Sequence, residues 1–442
     1  MAKRYGMWSY TVGAAAARTG DEMSGPALLL AGFAVTGSAA TGSALLAAVT
    51  ASAALGGPLL GVLLDRSARP GRLLTGALAG YAAALAVIVL CLGPLPLPVT
   101  LLIAACAGLA APALAGGWTA QLPRVVPAAR LPRATALDAM TFNLAGLTGP
   151  ALAGVVAGLA GARVAVVASI ALICLALPAA RTLPPSRDHP RRARSTTSIG
   201  TDLAAGFRAV FRTPPLARAT VASMSSCVGQ GILVAYSPLL GEQVFGSAAH
   251  GTILLSVVAG SALTTNALLA RRPHAVRPDT VMWCSALILA GAFLLASTGR
   301  PMLLIAAMLL AGIGEGPQLT ALFAIRHREA PDRLRGRVFT TGASLKITAF
   351  ALGAALTGPL TTHAHPIPLY AATTFEVLAA LTFAHLRPRR PAVHVCSRPT
   401  PSLPAPAPTP TRPDQPDPRT HATPVRGEPP EPATATEAQP PT

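Results

Sequence analysis

The sequence predicts an all-α integral membrane protein with twelve transmembrane helices arranged as two six-helix halves. Three observations carry this expectation. Hydrophobic residues make up 52% of the chain and charged residues only 12%, too apolar a balance for a soluble protein of this length. The apolar residues fall in successive runs close to the ~20 residues that a helix needs to cross the hydrocarbon core. Arginines gather in the short segments between those runs, in alternate loops.

These features also exclude other classes. The formal charge is +18, but nucleic-acid binding needs basic residues on one folded surface, and here they are dispersed between apolar runs. The six cysteines, Cys91, Cys106, Cys174, Cys227, Cys284 and Cys396, form no CxxC pair or zinc spacing and read as small apolar packing residues. No P-loop occurs, and no metal, cofactor or ATP site is expected. His363 and His365 lie in a loop without acidic neighbours and no HExxH motif appears, so an intramembrane enzyme is not expected.

In chain order, the first span is expected near Val12 to Thr36. Lys3 and Arg4 precede it as in a secretory signal, but Arg18, Asp21 and Glu22 within it predict an uncleaved helix. Spans two to four follow near Ser38 to Leu64, Leu73 to Leu92 and Val99 to Trp118, the last without any charge. Spans five and six are placed near Ala134 to Leu159 and Val164 to Ala180. The second set is placed near Ala219 to Leu240, Thr252 to Ala270, Val281 to Thr298, Met302 to Ile325, Val338 to Leu360 and Pro366 to Leu386. Barrel strands are disfavoured because the runs are long and do not alternate polar with apolar.

Orientation follows from arginine retention in cytoplasmic loops. Lys3 and Arg4, then Arg66, Arg69 and Arg72, then Arg124, Arg130 and Arg133 mark one side. Arg191, Arg192 and Arg194, Arg271, Arg272 and Arg277, Arg326 to Arg337, and Arg387, Arg389 and Arg390 continue it, while the other side offers only Arg163 and Arg300. Both termini are expected in the cytoplasm, with the chain in a bacterial inner membrane, as a monomer.

The expected organisation is a first half over 1–180, a cytoplasmic loop over 181–216, a second half over 217–386 and a disordered Pro-rich tail over 387–442. In the loop, Leu203, Phe207, Val210 and Phe211, with Arg208 and Arg212 beside them, suggest a short helix on the cytoplasmic membrane surface, with an irregular loop as the alternative. Duplication is suggested by two matches at one offset of 209 residues: Gly20 with Gly229, and Thr148-Gly149-Pro150 with Thr357-Gly358-Pro359.

The twelve spans, the central loop, and Gly61-Val62-Leu63-Leu64-Asp65-Arg66 followed by Gly71-Arg72 resemble the major facilitator superfamily. The second part of that loop motif is displaced relative to the family pattern. Physically, Asp65 can accept hydrogen bonds from a helix N-terminus or from arginines on neighbouring helices and so brace one conformation; the alternative is that Arg66, Arg69 and Arg72 only enforce topology. Gly146, Gly149-Pro150 and Gly154 in span five are similar to a shortened glycine–proline motif of the family's antiporters, which implies export. Leu122 to Pro127, Arg133 to Asp138 and Pro331 to Val338 further resemble the branch of enterobactin-type exporters and macrolide efflux proteins.

Ionisable residues within spans are costly and mark functional candidates. Asp21 lies near mid-depth of span one, counted at about 1.5 Å per residue from the aromatic Trp8 and Tyr10. Arg18 is placed to pair with Asp21 or Glu22 along the same helix. Asp21, Glu22 and Glu315 are the candidates for proton coupling. Arg18, Asn143, Gln230, Lys346 and Glu376 are candidates for the cavity, with Lys346 a partner for Glu315. Asp138 is expected at the membrane interface, and Glu376 is left between interface and cavity. Proton-coupled drug exporters of the family commonly carry an arginine early in span four, which this chain lacks. The leading expectation is a secondary active exporter of a drug, siderophore or secondary metabolite by proton antiport; a non-transporting sensor, or a facilitator or importer, is the alternative.

Overall fold

The computed structural model describes residues 2–185, 198–247, 249–272, 276–361 and 366–385. Arg191, Arg192, Arg194, His363, His365, Arg387, Arg389, Arg390 and the whole Pro-rich segment lie outside the described residues, as do the side chains of Lys3 and Arg4.

Apolar runs of this length satisfy their own backbone hydrogen bonds only as helices, and the described chain is built from them. The helices are α1 (Ala2–Thr36), α2 (Ala39–Arg66), α3 (Pro70–Cys91), α4 (Leu97–Gly108), a short α5 (Leu122–Val125), α6 (Leu131–Ala160) and α7 (Ala162–Arg181). They continue as α8 (Ile199–Arg212), α9 (Pro214–Phe245), α10 (Ala249–Arg271), α11 (Pro278–Ala296), α12 (Pro301–Glu329), α13 (Arg335–Thr361) and α14 (Ile367–His385). Proline opens α3, α9, α11 and α12, where its fixed φ and missing N–H carry no penalty. Gly246, left-handed at φ 77°, closes α9 by donating to the Glu242 carbonyl.

Eleven segments are long and apolar enough to cross a membrane, and the 35-residue α1 packs among them as the twelfth long helix. The chain is a multi-pass membrane protein. Span four is not the continuous helix the sequence suggests: α4 stops at Gly108, and after Pro112 the backbone resumes as a π-helical turn, Ala113–Gly117. Proline there has no N–H to give the preceding turn, and the wider turn accommodates the loss. The outward surface carries Leu55 and Leu90 at 74% exposure and Leu159 at 85%, a belt that only hydrocarbon would cover.

One set of pairings occurs twice. Helix α1 packs on α7, α6 and α2; α9 packs on their counterparts α14, α13 and α10. Likewise α2 pairs with α4 and α10 with α12, through glycines so close that a side chain would strike backbone: Gly108 against Val49, Gly312 against Val258. One apolar core is drawn almost entirely from Tyr10 to Leu183 and another from Cys227 to Ala372. Two seams join the first six long helices to the last six, α2 against α13 and α6 against α10.

The segment between the two sets contains a helix, not an irregular loop. In α8, Ser198 caps the N-terminus by accepting from the Thr201 N–H at 3.2 Å. Asp202 and Val210 face the protein, Val210 joining Leu216, Ala330 and Val338 in a small core. Phe207 and Phe211 point outward. The apolar stripe read from sequence is therefore divided between protein and surroundings.

Candidate functional site

A buried carboxylate bridges the α2–α13 seam. Asp65, at the arginine-rich end of α2 and 4% exposed, accepts from the backbone N–H groups of Gly336 at 2.8 Å and Arg337 at 3.1 Å. These belong to the first turn of α13, whose N–H groups have no intrahelical acceptor and whose dipole favours a negative charge. The Arg337 side chain adds an ion pair to Asp65 at 3.4 Å. Asp202 of α8 pairs with both Arg66 at 2.5 Å and Arg337 at 3.3 Å, so the linker helix is fastened to both sides of the seam.

Gly61 lets the helices meet: a Cβ there would stand 2.5 Å from the Arg337 Cα. Deeper along the seam, the Ser344 hydroxyl donates to the Ala53 carbonyl at 2.6 Å and accepts from the Gly57 N–H at 3.1 Å. Gly71 instead packs α3 on Ala180 of α7, and Arg72 is exposed. Beyond this layer, Phe142, Phe323 and Phe339 lie against one another in series, their rings tilted and their centroids 5.4 Å and 5.9 Å apart, so that aromatic rings from both sets of helices meet.

The first set holds a buried ion pair. Arg18 does not fold back on Asp21 or Glu22; its Nη1 reaches Asp138 Oδ1 at 2.9 Å across α1 and α6. Asp138 is wholly buried between helices. Its Oδ1 also accepts from the Tyr10 hydroxyl at 2.8 Å and its Oδ2 from Thr119 at 2.8 Å. Arg18 further bonds Thr119 at 2.9 Å and the Thr141 hydroxyl, and lies 3.7 Å over the Phe142 ring. Buried charges persist only when so paired and bonded. The sequence-level pairing chose neighbours along one helix; the structure places Asp138 on the face of α6 that meets α1, where water cannot solvate an isolated guanidinium.

Asp21 is half-buried and Glu22 exposed. Asp21 sits beside the Tyr81 hydroxyl, and Tyr81 is hydrogen-bonded to Ser24 at 2.8 Å. Glu22 packs its Cβ against α6 where Gly149 leaves room: a Cβ on Gly149 would come within 2.6 Å of it. Gly146 and Gly154 face open space, so of the span-five glycines only Gly149 permits a close approach. Asn143 is half-buried, with its amide nitrogen unpartnered among the described residues.

The second set holds a polar cluster of different composition. Glu376, fully buried midway along α14, accepts from the Ser226 hydroxyl at 2.7 Å. Gln230 donates to Ser226 at 3.2 Å and to Gln318 Oε1 at 3.4 Å. Glu315 and Lys346 are half-buried and attract one another, but no ion pair within 4.0 Å joins them among the described residues, so Lys346 is a distant partner. Sequence reasoning missed Tyr10, Thr119, Thr141, Ser226, Gln318 and Asp202. Each is an ordinary polar residue whose role comes from a partner on another helix.

The family model of the Major Facilitator Superfamily matches residues 10–277. The chain belongs to that superfamily. An uncharacterised superfamily-type transporter of Sinorhizobium fredii is 31% identical over 66% of this chain and 72% of its own length. The enterobactin exporter EntS of Escherichia coli O1:K1 is 28% identical over 59% of this chain, an alignment that spans 62% of the exporter, less than two thirds of it.

Solved superfamily structures share the fold. The human organic anion transporter MFSD10 aligns with TM-score 0.73 at 18% identity, over 87% of this chain and 99% of its own. An outward-facing bacterial homologue of the iron transporter ferroportin aligns with TM-score 0.69 at 14% identity, over 86% of this chain and 99% of its own.

Proposed function

We propose that the chain is a secondary active exporter that carries a small molecule out of the cytoplasm by proton antiport. The observation that supports this reading best is the Asp65 latch, a charge-assisted contact between α2 and the N-terminus of α13. Such a contact braces one of two arrangements of packed helices and breaks as a unit when they rock. In this reading the arginine-rich end and both termini lie in the cytoplasm of a bacterium, and the latch marks the arrangement that is closed to the inner face of its inner membrane.

The two six-helix halves then move about the polar groups between them. Asp21, Glu22 and Glu315 are the accessible carboxyl groups at depth and serve as proton carriers, with Asn143, Gln230 and Lys346 facing cargo. Arg18 is already committed to Asp138, so in this reading it holds α1 to α6 and does not receive substrate. Similarity to an enterobactin exporter makes siderophore-like compounds the first substrates to test, alongside drugs and secondary metabolites.

The test is export of an antibiotic and siderophore panel from an efflux-deficient host expressing wild type, Asp21→Asn or Glu315→Gln, with and without a protonophore. Proton antiport predicts that the protonophore abolishes export and that at least one variant lowers it at least about tenfold. Export untouched by the protonophore would refute the coupling.

A further inference from the structure

We propose that the arginine-rich end carries a binding site for an anionic phospholipid, set into the second seam, where α6 meets α10, α11 and α12. A cavity of about 400 Å³ lies there, within the size range of small-ligand sites. Its inner wall is formed by Ala136, Thr320 and Ala321, all buried, and Arg277 and Arg328 stand exposed at its rim. The rim residues fall in the last turn of α12 and just ahead of the first turn of α11, the level at which lipid headgroups meet a membrane protein in the orientation proposed above.

The feature that calls for an anion is His327. It lines the cavity, is 6% exposed, and neither ring nitrogen has a hydrogen-bond partner among the described residues. Its ring lies 4.5 Å from that of Phe339, tilted by 38°, and the cations Arg335 and Arg326 stand near it. A buried polar ring without a partner is costly, and a phosphate oxygen supplies the missing acceptor.

The rim is only partly neutralised. Arg328 is shared with Asp279 and Glu329 at 2.8 Å and 2.6 Å, and Asp279 also bonds Arg218. Arg277 has no ion pair among the described residues. A basic pocket between helices at the cytoplasmic face is the chemistry that holds anionic headgroups.

A membrane lipid fits better than a free anion because Leu131, Pro132, Val281 and Ala324 also line the cavity, apolar surface suited to an acyl chain. An occupant touching α6 on one side and α11 and α12 on the other would reinforce the seam that the Asp65 latch does not reach, and so favour the closed arrangement.

The experiment is thermal unfolding of the delipidated full-length protein in neutral detergent, with dioleoyl-phosphatidylglycerol, dioleoyl-phosphatidylcholine or inorganic phosphate added. The site predicts a rise in Tm of at least about 2 °C with phosphatidylglycerol and none with the other two. Ala136→Phe, which fills the cavity, should abolish the rise. Arg277→Gln, an exposed change that leaves the core untouched, should remove at least half of it and serves if Ala136→Phe fails to fold. An equal rise with phosphatidylcholine, the full rise with phosphate alone, or a full rise retained in Arg277→Gln would overturn the proposal.

Discussion

Replacing Asp65 by alanine should convert a closed transporter into one that samples both arrangements. The carboxylate accepts two backbone N–H groups of α13 and faces Arg337, all nearly excluded from water. Hydrogen bonds to a charged group contribute about 1.5–3 kcal/mol each, and breaking a buried ion pair by removing one partner costs roughly 3–5 kcal/mol. These contributions overlap, and Arg337 keeps Asp202 as a second partner at 3.3 Å, so about 3 kcal/mol is the appropriate size for the loss. At about 1.4 kcal/mol per factor of ten, the closed-to-open ratio falls by roughly two orders of magnitude. A state present at about one part in a hundred then becomes an equal partner.

Spin labels at Arg69 and Arg333, both exposed and on opposite sides of the seam, report this directly. Electron–electron double resonance on the reconstituted, cysteine-free protein should show one dominant short distance in the wild-type sequence and a second, longer population in Asp65→Ala. An unchanged single distance would show that the seam is held by its packing and Ser344, and that Asp65 contributes little.

Two further outcomes follow from the packing. Arg18→Met should lower the melting temperature substantially, because it leaves Asp138 buried and uncompensated at a cost of about 3–5 kcal/mol, whereas Arg18→Met with Asp138→Leu should recover most of the loss; thermal unfolding of the three proteins distinguishes a charge effect from a packing effect. Gly149→Val should push α1 from α6, since even a single Cβ would sit 2.6 Å from Glu22, costing about 1–3 kcal/mol, while Gly146→Val, facing open space, should melt within a degree or so of wild type.

The sequence by itself determined the class of fold, the membrane and the family, because these depend on quantities that are local. Run length, arginine placement and the Gly-Asp-Arg loop are visible without knowing which helix touches which. It also marked Asp65 as a residue able to cap a helix, since a carboxylate at the end of a span must find donors. What it did not contain was the partner.

Arg18 illustrates the difference. Along the chain its nearest acids are Asp21 and Glu22, and a helix of 3.6 residues per turn makes both reachable. In the structure α6 brings in Asp138, 120 residues away, already surrounded by Tyr10, Thr119 and Thr141. That arrangement prevails because a buried guanidinium needs several acceptors fixed in place, and only convergence of three helices supplies them. Glu376 and Asp202 follow the same rule: the sequence shows one acid within a span and one in the linker, and burial against Ser226 or between Arg66 and Arg337 is decided by helix packing alone. Spacing along a chain dictates which residues share a face; which face meets which, and hence which charges meet, is settled only when the bundle closes and water is expelled.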